Sequence, residues 1–148
     1  MKILLAIDGS EYSAEAVKTV AERPWPEETE VRVLTAVEVV VPPAAEIWYD
    51  AGGSLERAQQ ELRTRAEQLT AGVVETLRAG GLTAEAAVRD GEPRTAIVDE
   101  AQEWEADLIV IGSHGYTGLK RWLLGSVAQA VVSHAPCSVE VVRKKSAE

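Results

Sequence analysis

Short apolar runs alternate along the chain with segments of helical period. Ile3-Leu4-Leu5-Ala6-Ile7 is nearly continuous, and Asp8-Gly9-Ser10 closes it. Val31 to Val37, Ala84 to Val88, Leu108 to Ile111 and Ser138 to Val142 repeat the pattern. Runs that are apolar on both faces are typical of parallel strands covered by helices. Between the first two runs, Ser10 is placed to cap a helix that carries Ala14, Val17 and Ala21 on one face. Ser54 is placed to cap a long helix with Leu55, Leu62, Ala66, Leu69, Val73 and Leu77 facing inward, ended by Gly80-Gly81. Pro93 fits the first turn of a third helix, which holds Ile97, Ala101 and Trp104. Ser126 starts the last, with Val127, Ala130 and Val131 inward.

The order βαβαβαβαβ predicts an α/β fold with a parallel sheet, right-handed crossovers and helices on both faces. At 148 residues and 46% hydrophobic content the chain suits one domain with a real core. Residues 144–148 read as a frayed polar tail. Two stretches read as irregular. Residues 22–30 carry Pro24-Trp25-Pro26, and residues 39–53 carry Pro42-Pro43 and Gly52-Gly53 and could move or cover a site.

Charge narrows the function classes. Fifteen Lys and Arg against 24 acids give a net charge of −9. Such a chain is poorly suited to nucleic acid, whose affinity rests on phosphate neutralisation, or to anionic lipid. A small anion is a different case, because backbone N–H groups at a helix N-terminus can hold it locally. The single Cys137 excludes an intrachain disulfide and a Cys-rich metal site, and it reads as a small buried residue. The apolar start is too short for a secretory signal, and no run approaches a membrane span. A cytoplasmic location is the expectation.

The most informative stretch is GSHGYTGLKRWLLGS, from Gly112 to Ser126. It follows a strand and precedes a helix, and loops after parallel strands lie on the edge where ligands bind. Gly112 and Gly115 would let backbone approach a ligand without a Cβ clash. Gly125 and Ser126 would present N–H groups at a helix N-terminus, where phosphate is favoured. Loop shaping alone is the other use of such glycines. The patterns GxxxxGK[ST] and, after the first strand, GxGxxG are absent, which disfavours an ordinary P-loop or dinucleotide enzyme.

Gly112-x-x-Gly115, nine residues, then Gly125-Ser126 resembles the signature of ATP-binding universal stress proteins. The resemblance spans nearly the whole chain, from ILLAIDGSEYSAEAV through DLIVIGSHG to APCSVEVVR. It implies a five-stranded parallel sheet of order 3-2-1-4-5, with Asp8 and Gly112 facing each other across a crevice. It implies that Asp8 contacts the adenine and ribose end of ATP, that Ala6 and Ala36 line the base pocket, and that Ile111 and Gly112 lie beside the ribose. Gly115, Gly125, Ser126 and Val127 match the phosphate cradle. It also implies a homodimer that pairs fifth strands across a two-fold axis. Relatives usually have proline and leucine where this chain has Ser138 and Glu140. Glu140 would therefore either block that pairing or find a basic partner such as Arg143 or Lys144 of a second chain; a dimer weakened by Glu140 is the expectation.

Several residues keep two readings. Asp8 could simply bond its own backbone in a turn. His114 could touch phosphate or stand solvated in its loop. Lys120 and Arg121 read as a solvated face, Trp122 as packing for the loop, and His134 as a cation suited to a helix C-terminus. The leading function is an ATP-binding sensor or switch in the stress response that acts on an unknown protein partner. Slow hydrolysis would need a positioned water and usually a metal. Asp8 could help hold Mg²⁺, but no partner carboxylate or catalytic lysine is evident, so no catalytic residue is assigned. A nucleotide-free interaction protein is the third reading.

Overall fold

The computed structural model describes residues 1–39, 53–115 and 123–145. Most of 39–53, together with Lys120, Arg121 and Trp122, therefore lies outside the described residues. The strands are β1 (Lys2–Ala6), β2 (Glu30–Val37), β3 (Thr83–Asp90), β4 (Leu108–Gly112) and β5 (Ser138–Val142). The helices are α1 (Glu11–Glu22), α2 (Ser54–Ala79), α3 (Pro93–Trp104) and α4 (Ser126–His134). All strand pairs are parallel, and the sheet order is β3-β2-β1-β4-β5.

Both faces of the sheet are buried at its centre, on β1, β2 and β4, while β3 and β5 at the edges are largely half-buried or exposed. Ile3, Leu5, Val31, Val33 and Val110 pack with Ala16 and Val20 of α1 and Val74 and Leu77 of α2. Leu4, Leu34, Ile109 and Ile111 pack on the other side with Ile97 and Ala101 of α3 and Val131 of α4. Ile3, Leu4, Leu5 and Ile109 are 0% exposed. Full burial of such a side chain is worth about 1.5–3 kcal/mol, so the central strands anchor the sheet.

Two helices bury different residues from those their periodicity predicts. In α1 the buried set is Ser13, Ala16 and Val20, while Ala14 and Ala21 are exposed. The Ser10 cap sets this rotation: Ser10 Oγ accepts from Ser13 N at 3.2 Å, and Ser13 Oγ donates to Ser10 O at 3.0 Å. Ser13 is thus a buried polar residue whose bonds are made locally. In α2 the cap is Gly53 rather than Ser54, the buried residues are Ala66, Thr70, Val74 and Leu77, and Leu62 is exposed. At 1.5 Å per residue this helix is roughly 39 Å long, and its buried residues fall from its midpoint onward. In α4, Ala128 and Val131 are buried and Ala130 is half-buried. Cys137 is half-buried, and burial, followed by the charge of Asp107, pushes its thiol pKa up.

Charged residues on the sheet find partners far away in sequence. Arg32 bonds Glu85 and Glu100, Arg89 bonds Glu100 and Glu103, and Arg32 also lies 4.4 Å from the Trp104 ring centroid. Glu140 is held by Arg23 of its own chain through two hydrogen bonds of 2.6 Å. Those bonds keep the Glu140 carboxyl below the usual carboxylate range. Within one chain, therefore, Arg23 already serves Glu140. Lys144, in the tail expected to fray, pairs with Glu11 at 2.6 Å.

Candidate functional site

The strand order creates the site. From β1 the chain winds outward to β3, then returns to lay β4 on the opposite side of β1. The loops after β1 and β4 therefore diverge and leave a crevice at the carboxyl ends of the strands, the point where open α/β sheets bind ligands.

On one side, Ile7 extends the ladder, its N–H donating to Leu34 O at 2.9 Å. Asp8 Oδ1 then accepts from Ser10 N at 2.9 Å, and Gly9 turns the chain at φ 82°. That positive φ suits glycine, and the bond from Ser10 N is the turn chemistry of Asp-Gly-Ser. Asp8 Oδ2 makes no hydrogen bond among the described residues. Asp8 thus serves its turn with one oxygen and keeps the other free on the crevice wall.

On the other side, Ser113 N donates to Val142 O at 2.9 Å, and Gly125 N donates to Ser113 O at 2.7 Å. The second bond ties the start of α4 to the end of β4. Gly125 is the N-cap of α4 and supplies no side-chain cap. Among the described residues the first amides of that helix have no side-chain acceptor, and they carry the positive end of its dipole. By contrast, Ser10 caps α1.

A cavity of about 470 Å³ lies between these loops, within the size range of small-molecule sites. Ala6, Asp8, Ala36, Ile111, Gly112, His114, Gly115, Gly125, Ser126 and Val127 all line it. Every site residue named from the sequence therefore borders one space. One part of its wall is small and apolar, from Ala6, Leu34, Ala36, Ile97 and Ile111; the polar part comes from Asp8, His114 and the start of α4. Sequence reasoning missed Pro93 and Ile97, which bring the first turns of α3 to the wall, as well as Ser13, Leu34 and Leu124. The helical pattern marked Ile97 as inward, but only the fold shows that inward there means crevice.

The glycines of the loop have different causes. A Cβ on Gly112 would stand 2.8 Å from Tyr12 C and O, so its absence admits the first turn of α1 rather than a ligand. A Cβ on Gly115 would meet Asp8 Oδ2 at 2.9 Å. One on Gly125 would meet His114 Cα at 3.1 Å and Ser113 O at 3.2 Å. Gly115 and Gly125 thus let the loop close tightly on Asp8 and on the start of α4. His134 bonds Ala130 O at 2.9 Å at the end of α4, away from the crevice wall.

An open parallel sheet with an apolar crevice and a helix amino end at its switch point defines the class: a doubly wound α/β protein. A model of the universal stress protein family matches residues 1–143. The chain belongs to that family. Universal stress protein MJ0531 of Methanocaldococcus jannaschii is 34% identical over 147 residues, covering 99% of this chain and 84% of that protein. Among solved structures, hypothetical protein MJ0577 superposes with a TM-score of 0.84 at 28% identity, over 99% of this chain and 97% of that one. A universal stress protein family protein from Arabidopsis thaliana, At3g01520, solved with AMP bound, shares the fold with a TM-score of 0.72 at 19% identity, over 99% of this chain and 93% of that one. Among the described residues no helix is long and apolar enough to cross a membrane.

Proposed function

We propose that the chain binds ATP in the crevice and acts as a nucleotide-dependent sensor or switch in the stress response. The observation that carries this reading is the start of α4. It lacks a side-chain cap among the described residues, and it borders a cavity that Ala6, Leu34, Ala36, Ile97 and Ile111 also line. Backbone amides at a helix N-terminus favour phosphate, and a flat apolar wall favours a base. The Arabidopsis protein that shares this fold was solved with AMP, a ligand that carries both a base and a phosphate. Ala6, Ala36 and Ile111 would border the base and ribose, and Gly115, Gly125, Ser126 and Val127 the phosphates. The triphosphate supplies charge for the loop to sense; the chain's own residues bind and orient it. Asp8 Oδ2 would accept a hydrogen bond from the nucleoside, or join Mg²⁺ carried by the phosphates.

Asp8→Ala separates those two roles. ATP should weaken by about 0.5–1.5 kcal/mol, the worth of one hydrogen bond, while inorganic tripolyphosphate with Mg²⁺ binds unchanged. Calorimetry with both ligands reads this directly. Equal weakening of the two would place Asp8 on phosphate or metal instead.

A second copy of the chain on the β5 edge is part of the same reading. β5 pairs with β4 alone and ends the sheet order, and Arg23 already satisfies the Glu140 carboxylate. Sedimentation over a concentration series should show a dimer of the parent chain. Glu140→Leu should tighten that dimer, because it removes a charge from the pairing strand. A parent that stays monomeric throughout sinks the proposal.

A further inference from the structure

Ser113, the first residue after β4, is 2% exposed, and its hydroxyl meets His114 Nδ1 at 3.0 Å. A buried hydroxyl carries one hydrogen that needs an acceptor. Among the described residues, Nδ1 is the group that hydroxyl meets. When Ser113 donates, Nδ1 is the acceptor and the proton of the neutral ring sits on Nε2. The reverse arrangement leaves the hydroxyl hydrogen without a partner.

His114 Nε2 is itself buried and has no hydrogen-bond partner among the described residues. Tyr12 packs against the ring at 5.1 Å between centroids, tilted by 50°. Among the described residues Asp8 is the charged side chain of the crevice lining, and its Oδ2 lies 2.9 Å from where a Cβ on Gly115 would stand. The backbone of His114 stands beside Gly125, the residue that precedes the open amino end of α4.

We infer that Ser113 is a positioning residue that fixes the His114 proton on Nε2, and that His114 donates this N–H to a phosphate oxygen of the ligand. The inference rests on the nucleotide reading above. It assigns to Ser113 a role that its sequence position did not suggest, and it accounts for the orphaned ring nitrogen. His114 would add a side-chain donor to the backbone donors of α4, so the pair favours ligands with phosphate over a bare nucleoside.

Nitrogen-15 NMR of the full chain at alkaline pH reads the tautomer directly, with the other histidine assigned through His134→Gln. The free chain should show Nε2 protonated and Nδ1 as acceptor. The Nε2 signal should move with ATP and with tripolyphosphate, and stay put with adenosine. By calorimetry, Ser113→Ala should weaken ATP roughly three- to tenfold, the range of one lost hydrogen bond. His114→Gln retains an N–H donor and has no tautomer to fix, so Ser113→Ala should cost nothing further in that background. His114→Phe should weaken ATP and spare adenosine. A proton found on Nδ1 overturns the inference, and so does an equal cost of Ser113→Ala in both backgrounds. A chain that binds ATP while the ring signals stay unmoved overturns this inference alone; a chain that binds neither ATP nor tripolyphosphate overturns the nucleotide reading with it.

Discussion

Gly125→Val is expected to lower affinity for ATP at least tenfold, about 1.4 kcal/mol or more. The backbone itself accepts valine, because Gly125 sits at φ −60° and ψ 158°. Space does not. The first added carbon would stand 3.1 Å from His114 Cα and 3.2 Å from Ser113 O, and the two methyl groups of valine need more room still. The loop must therefore move off the start of α4, and the 2.7 Å bond from Gly125 N to Ser113 O that registers the two must stretch. Both halves of the proposed phosphate site shift together. Titration of parent and variant with ATP measures the loss, with thermal unfolding recorded alongside to show that the sheet persists. Equal affinity in the two proteins would refute the phosphate role of this loop.

Gly112→Val should act on stability instead. Its Cβ would lie 2.8 Å from the Tyr12 backbone, which cannot rotate away as a side chain can. The start of α1 would be pushed from β4, and with it Ser13 and Ala16, which are buried beneath that helix. Overpacking of this kind costs about 1–3 kcal/mol, occasionally more. A lower urea midpoint with unchanged slope is the expected result. An unchanged midpoint would mean that α1 yields without cost and that the tight contact has no energetic meaning. The contrast between the two glycines matters for reading the signature: one admits a helix, the other holds a loop to a helix start.

The strands were legible as short apolar runs, with Asp-Gly turns closing β1 and β3, and the alternation with helical period predicted the parallel sheet. The sheet order came from the resemblance, since spacing alone does not say on which side of β1 the fourth strand falls. What periodicity could not rank was alanine against alanine. Ala14 and Ala21 scored as well as Ala16, while Ser13, which hydrogen bonds fix inward, scored as polar. Leu62 looked internal because the pattern carries no measure of where the sheet ends. The partner of Glu140 lies 117 residues away in sequence, at the end of α1, and nothing local announces it. The ten crevice residues named from the sequence came through the loop motif and the family likeness; Ser113 did not, because a serine between a glycine and a histidine carries no signal until its hydroxyl is seen against the ring.

The proposed function requires that one chain hold one ATP in the crevice between β1 and β4. Native mass spectrometry of the purified chain, mixed with ATP at increasing concentration, tests it most directly. A species heavier by one ATP per chain is expected, displaced by AMP and diminished in Gly125→Val. Bare chain alone at millimolar ATP would contradict it.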